Sequence, residues 1–359
     1  MSTSGPIQWR AQLRRLGIVM RGDPRNPDEA MGVLNPAAAR GPDGGLYLFP
    51  RVVGAGNYSR IGIAKVRFDS AGDPVSVDRL GYALEPSESW ERNSRTAGCE
   101  DARVTYVESL GCYVMTYTAY GPTGPRIAIA YSADLRRWER LGPAKFVFDL
   151  ASGVDFDLYD NKDAMLFPSP VRDPSGKPAL AILHRPGNTQ GGRLILPSGI
   201  VERRPSIWIS YCSLDRVRDD LNELCRWRDH QLVATPRYPW EELKIGAGTP
   251  PVRTARGWLI FYHGVTGHLV EGVDQQTDVH YRAGAMVLDA TDPRQVLYRS
   301  PEPVLSPELD EERQGIVANV VFPTGVDYRE GGRIDVYYGA ADVAIGVARL
   351  DLPPALIAR

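Results

Sequence analysis

"CYVMTYTAY" (residues 112–120) followed by "PRIAIAYSADLRRWERLG" (125–142) is the stretch on which the fold turns. The first segment is β-branched and aromatic. The second is built from small and branched residues and closes on an Asp-containing turn with a Trp beyond it. Together they read as a pair of neighbouring strands. The pair recurs. "LYLFPRV" (46–52) precedes "SRIGIAKVRFD" (59–69), and "PALAILHRP" (178–186) precedes "SIWISYCSLD" (206–215) and "CRWRDHQLV" (225–233). "GWLIFYHGV" (257–265) precedes "YRAGAMVLDATDPRQVLYRS" (281–300), and "IDVYYGAAD" (334–342) precedes "VAIGVARLDL" (343–352).

Five strand-rich units of roughly 65–80 residues predict an all-β protein, a five-bladed β-propeller. Radial blades leave only short, protected edges. The expected organisation is one catalytic domain over residues 1–359, with a short N-terminal helical extension in about the first 30. The small residues in IGIA, IAIA, AGAM and IGVA fit strands crowded near a central axis. A two-sheet sandwich is the alternative that the pattern leaves open. Helices are expected only around residues 6–16 and 214–224.

Hydrophobic residues make up 43% and charged residues 24%, the profile of a soluble globular protein. The net charge of -2 gives no bulk attraction to nucleic acid or to an anionic membrane, so any anion must be held by a local cluster. No apolar run is long enough for a transmembrane helix. Residues 1–17 show no secretory h-region, and a cytoplasmic protein is expected. Cys99, Cys112, Cys212 and Cys225 form no CxxC pair; free thiols are expected and a zinc site is not.

The strand ends carry the polar groups. "CEDAR" (99–103) puts Glu100, Asp101 and Arg103 at the mouth of an apolar strand, where charges are costly unless paired or used. In an extended strand, adjacent Glu100 and Asp101 would face opposite ways. Asn35 and Arg51 come from the first unit. Lys162, Arg185, Lys244 and His263 come from the third and fourth and could together hold a small dianion. Asp342 and Glu312 come from the fifth. One acid beside one anion pocket suggests glycosyl transfer to or from phosphate. Inverting cleavage by water needs a second carboxylate as base, whereas phosphate is already anionic and needs only positioning. No nucleotide-binding GxGxxG or GxxxxGK[ST] spacing, HExxH or Gly-x-Ser-x-Gly occurs.

In combination, "GCEDARVTYVESLGCYVMTYTAY", "NKDAMLFP", "LHRP", "WEELKIGAGTPP", "YHGV", "NVVFP" and "YYGAAD", in that order, resemble glycoside hydrolase family 130, the β-mannoside phosphorylases and their hydrolytic relatives. The resemblance covers about residues 33–350 and implies a five-bladed propeller. It implies Asp101 as the general acid, acting through a sugar hydroxyl. It implies Lys162, Arg185, Lys244 and His263 as phosphate ligands, and Asn35, Arg51, Arg103, Asp342 and Glu312 as residues around the mannosyl ring. No metal or organic cofactor is implied; inorganic phosphate is the co-substrate and a small carbohydrate the substrate. Self-association of the chain is a further expectation.

The sequence departs from the family at Ala102, which replaces the usual proline, and at Lys162, where some members carry Arg. Lysine keeps the charge but loses the bidentate fork. Residues 187–204 read as an insertion and 266–279 as a long polar loop, both suited to substrate choice. Phosphorolysis of a β-mannoside to α-mannose 1-phosphate is the expected reaction. An inverting hydrolase with Asp163, Glu202 or Glu241 as base, and a non-catalytic sugar-binding propeller, are the competing readings.

Overall fold

A computed structural model of the protein describes residues 7, 9–92, 97–150, 153–187, 202–268, 270 and 276–357. It is all-β. Short helical turns interrupt the strands, among them Leu214–Asp219 and Leu221–Cys225, where helix is expected. Most of the 187–204 loop and the middle of the 266–279 loop lie outside the described residues, while residues 266–268 and 278–279 belong to strands.

Among the described residues, twenty strands fall into five antiparallel units of four, and three short ones, Lys145–Phe146, Val171–Arg172 and Val252–Thr254, lie beside them. The first holds Gly32–Arg40, Leu46–Gly54, Tyr58–Phe68 and Pro74–Leu84. The second holds Ala97–Val107, Cys112–Gly121, Gly124–Ser132 and Glu139–Pro143. The third holds Asp160–Leu166, Pro178–Gly187, Ile207–Ser213 and Arg226–Ala234. The fourth holds Lys244–Ala247, Gly257–His268, Asp278–Leu288 and Val296–Arg299. Val321–Arg329, Arg333–Ala340 and Ala344–Asp351 make three strands of the fifth, and the fourth strand is Arg14–Arg21 from the other end of the chain. The first two units touch through a two-residue parallel bridge, Tyr58 with Ala97 and Ser59 with Gly98.

The helix expected over 6–16 is therefore corrected. Residues 9–13 have no regular structure, and Arg14–Arg21 pairs antiparallel with Ala344–Asp351. That strand would otherwise present an open row of amides and carbonyls, and covering it overrides local helix propensity.

Both faces of most strands are apolar, and the core is divided accordingly. One cluster joins units one and two through Phe49, Ile61, Met115 and Tyr117. Others join two to three (Val114, Ile129, Leu180, Trp208), three to four (Leu183, Ile209, Ile245, Ile260) and four to five (Phe261, Val287, Val321, Val336). A fifth joins unit five back to unit one through Val19, Val33, Leu48 and Val347. A two-sheet sandwich has one core between its sheets. The described residues form five, in cyclic order.

A buried acid recurs at the unit edges. Glu91, Glu241 and Glu312 each close a short turn by accepting from its amides. Each also accepts from a second-strand tyrosine: Tyr117 at 2.6 Å, Tyr262 at 2.6 Å and Tyr338 at 2.7 Å. Each pairs with an arginine on the unit's fourth strand: Arg140 at 2.8 Å, Arg299 at 2.7 Å and Arg15 at 2.9 Å. The third-strand glycines answer to these tyrosines. A Cβ at Gly284 would meet the Tyr262 ring, and one at Gly346 the Tyr338 ring. The small residues thus have a cross-strand reason, beyond the crowding about an axis expected from sequence.

Candidate active site

The first strand of each of the first three units carries an irregularity at the same place. The register slips between Leu34 and Ala37, Glu100 and Arg103, and Lys162 and Met165. Inside each slip stands a non-glycine residue in the left-handed region: Asn35 (φ 43°), Asp101 (φ 48°) and Asp163 (φ 57°). Asn and Asp tolerate that conformation better than most side chains. A bulge re-aims the side chains beside it. Strict alternation therefore fails at residues 100 and 101: both carboxylates reach Arg51, Glu100 at 3.0 Å and Asp101 at 3.6 Å.

Arg51 is the hub of this side of the site. It also bonds the Ser59 hydroxyl at 2.9 Å, and Asp342 adds to the negative charge around it. Burial would push the guanidinium down, but Glu100, Asp101 and Asp342 outweigh it and hold the group fully charged. Lys162 Nζ lies 3.7 Å from Glu100 and over the Tyr120 ring. Asp342, half-buried in the last turn of unit five, is pushed up to about 6 by burial and by the neighbouring Asp101 and Glu100 charges, against the pull of Arg51 and Lys162. These groups line a cavity of about 150 Å³, whose wall combines Arg51, Asn57, Glu100, Tyr120, Lys162 and Asp342 with apolar Met31, Leu34, Ile316 and Val317. A polar side and an apolar side suit a pyranose ring. Asp101 stands beside it, with Asn35 Nδ2 donating to its Oδ1 at 2.9 Å.

A second cluster surrounds Asp163. Arg185 Nε donates to Asp163 Oδ2 at 2.5 Å; His263 Nε2 lies 3.6 Å from the same oxygen, and Arg103 3.7 Å from the other. Desolvation opposes ionisation of Asp163, but Arg185, His263 and Arg103 together hold its carboxyl well below the usual range. His263 is fully buried, and both ring nitrogens lack a hydrogen-bond partner among the described residues. Burial, with the Arg185, Lys244 and Arg103 charges, pushes it down to about 3, so the ring is neutral. Lys244 Nζ sits over the Tyr281 ring, and Tyr281 stacks beside His263. A Cβ at Gly246 would collide with His263 Cε1 and Asp163 Oδ2, so only glycine fits there. Arg103 links this cluster to the acid, standing 3.7 Å from Asp163 and donating to Asp101 O at 2.6 Å.

The structure thus brings Arg51, Lys162 and Asp342 to one cavity with Asp101 and Asn35 at its side, and Arg185, Lys244 and His263 to the adjoining cluster. Two residues expected at the mannosyl ring lie apart from the cavity. Glu312 is fully buried and spends its carboxylate on Arg15, Tyr338 and two backbone amides, away from the cavity. Arg103, 1% exposed, clamps backbone: its Nε donates to Gly248 O at 2.9 Å and its Nη1 to Asp101 O at 2.6 Å. Sequence reading missed Asp163 as the organiser of the cations. Aligning L-N-P-A, E-D-A-R and K-D-A-M would have shown Asn35, Asp101 and Asp163 as one position.

The family model described as beta-1,4-mannooligosaccharide phosphorylase matches residues 6–354. The chain belongs to glycoside hydrolase family 130. A 1,2-beta-oligomannan phosphorylase of Thermoanaerobacter sp. (strain X514) is 33% identical over 350 residues, 95% of this chain and 98% of its own length. A beta-1,4-mannooligosaccharide phosphorylase of Ruminococcus albus is 30% identical over 276 residues, 76% of this chain and 68% of its own. The Listeria innocua beta-1,2-mannobiose phosphorylase, solved with beta-1,2-mannobiose, superposes with a TM-score of 0.65 at 24% identity, covering 89% of this chain and 90% of that one. That likeness shows a shared fold. Ala102, which stands where the family's usual proline was expected, sits in the Asp101 bulge and is fully buried, so the bulge forms without the ring.

Proposed function

We propose that this protein is an inverting phosphorylase that cleaves a β-mannoside with inorganic phosphate, giving α-mannose 1-phosphate and a shortened acceptor. The observation that carries this is the gathering of Arg185, Lys244 and His263 around Asp163, next to Asp101. The five units in cyclic order support a five-bladed propeller and a single domain. The mannosyl ring would occupy the cavity between Arg51, Lys162 and Asp342, its apolar face against Ile316 and Val317. Phosphate oxygen attacks the anomeric carbon from the face opposite the leaving oxygen. The glycosidic C–O bond breaks, and the leaving oxygen takes its proton from Asp101, through the sugar hydroxyl between them. No base is needed, because the nucleophile is already an anion held by charge-assisted bonds.

The hydrolytic alternative needs a free carboxylate to activate water. Asp163 is held by Arg185 and Arg103, Glu241 by Arg299 and Tyr262, and Glu202 by Arg204 at 2.5 Å. None is poised as a base. The test is synthesis. Purified protein is mixed with α-mannose 1-phosphate and, in turn, mannose, glucose, N-acetylglucosamine or mannobiose. Acceptor-dependent phosphate release is expected and names the product. Mannose freed from β-mannosides without phosphate, and no synthesis with any acceptor, would overturn the reading.

A further inference from the structure

Among the described residues, unit three has no Tyr–Glu–Arg triad. At the position of Tyr117, Tyr262 and Tyr338 its second strand carries His184, and a different buried network takes over. His184 Nε2 lies 2.8 Å from Ser210 Oγ, and Ser210 Oγ lies 2.8 Å from His230 Nδ1. His230 Nε2 lies 3.0 Å from Val147 O, and His184 Nδ1 is 3.1 Å from the Asn161 carboxamide. His184 and Ser210 are fully buried and His230 is 2% exposed. Phe146 and Phe156 pack on both imidazoles.

The direction of the chain is fixed from one end. Val147 O can only accept, so His230 Nε2 carries the hydrogen and Nδ1 accepts from the Ser210 hydroxyl. Ser210 oxygen then accepts from His184 Nε2, which leaves His184 Nδ1 as an acceptor. Turned so that Nδ2 faces the ring, the Asn161 carboxamide completes the chain and gives a partner to a nitrogen that otherwise has none among the described residues. Every member is neutral: burial pushes both imidazoles below their ordinary range.

The residues next in sequence differ between these units. Thr118, His263 and Gly339 follow the three triad tyrosines, and none carries a charge here. Arg185 follows His184, and Lys162 follows Asn161. A carboxylate anchor behind Arg185 would compete with Asp163 and with an incoming anion in a low-dielectric interior. A neutral chain fixes the same strands without that competition.

We propose that Asn161, His184, Ser210 and His230 are positioning residues that set Arg185, next in sequence to His184, for the phosphate anion; this rests on the phosphorylase reading above. The test titrates inorganic phosphate into the full-length protein by calorimetry and measures phosphate and mannoside KM separately. Ser210→Ala and His230→Phe each cut the chain, the second while keeping a ring among the phenylalanines. Both should weaken phosphate binding about tenfold or more, as displaced binding groups do, and leave the mannoside KM unchanged. Ser210→Thr, which keeps the hydroxyl, should restore it. Tyr338→Phe, which cuts the unit-five triad, should lower Tm without moving phosphate affinity. Unchanged phosphate affinity in the folded chain-cutting variants, or an equal loss in Tyr338→Phe, overturns the proposal. Wild-type protein that binds phosphate but never forms a sugar phosphate overturns the phosphorylase reading alone; wild type that binds no phosphate overturns both.

Discussion

Asn35 Nδ2 donates to Asp101 Oδ1 at 2.9 Å, and Arg51 Nη1 stands 3.6 Å from the same oxygen. One face of the carboxyl is therefore committed, and Oδ2 is left to carry the transferable proton. Asn35 is itself wedged: a Cβ at Gly339 would strike its Oδ1 and press on its backbone nitrogen. Gly339→Ala should drive Asn35 off Asp101 and lower kcat by about 10–100-fold, since small misplacements of catalytic groups cost that much. Asn35→Ala should do the same. Steady-state kinetics check both, and a kcat unchanged in either would show that the contact does not orient the acid.

Asp101→Asn keeps size and the left-handed backbone but removes the proton. Turnover should fall by about 10²–10⁴-fold, the range for loss of a general acid. Mannoside affinity, measured by calorimetry, should change little. Lost affinity with a proportionate loss of kcat would make Asp101 a binding residue instead.

Asp163 offers a test of the anion cluster that does not depend on turnover. Asp163→Asn leaves Arg185 and Arg103 buried without their counter-charge, and breaking such a pair costs about 3–5 kcal/mol. Tm should drop, and added phosphate should restore more of it than phosphate adds to the wild type, because the anion replaces the missing charge. Thermal melts with and without phosphate decide the matter: equal shifts in both proteins would place phosphate elsewhere.

The strand pairs were legible because runs such as "CYVMTYTAY" and "GWLIFYHGV" are apolar on both faces, as strands buried between two neighbours must be. The pairing that completes the fifth unit was not. "RRLGIVMR" (14–21) becomes a strand only because Ala344–Asp351, more than 320 residues away, needs an edge partner. The acid of the site was legible from Glu-Asp-x-Arg, but its geometry was not, because a bulge breaks the alternation on which the facing of Glu100 and Asp101 was judged. Glu312 misled because an acid before an apolar strand reads the same whether it binds sugar or closes a turn. Only its partners, Arg15 from one end of the chain and Tyr338 from the other, tell the two apart.

Glu312→Gln tests that distinction. The substitution removes the charge opposite Arg15 and should cost about 3–5 kcal/mol of stability. The mannoside KM at a temperature where the variant is folded should match the wild type. A raised KM with an unchanged Tm would return Glu312 to the sugar site.

Asp342 sets the pH dependence. Burial first, then the Asp101 and Glu100 charges, raises its carboxyl to about 6 from 3.8. The folded state therefore holds a proton there that the unfolded chain has already lost between those values. Its contribution to stability is fully present below about pH 3.8 and is lost as pH rises through about 6, by about 1.4 kcal/mol for each unit of displacement. Asp342→Asn cannot ionise, and Asn accepts the left-handed backbone (φ 59°) as readily as Asp. Relative to wild type, the variant should gain in Tm between pH 4.5 and 7.5. Binding runs the other way. The ionised carboxylate is the better acceptor for sugar hydroxyls, so kcat/KM for the mannoside should rise across about pH 6, and the rise should vanish in Asp342→Asn. A rise that persists in the variant would assign it to another group.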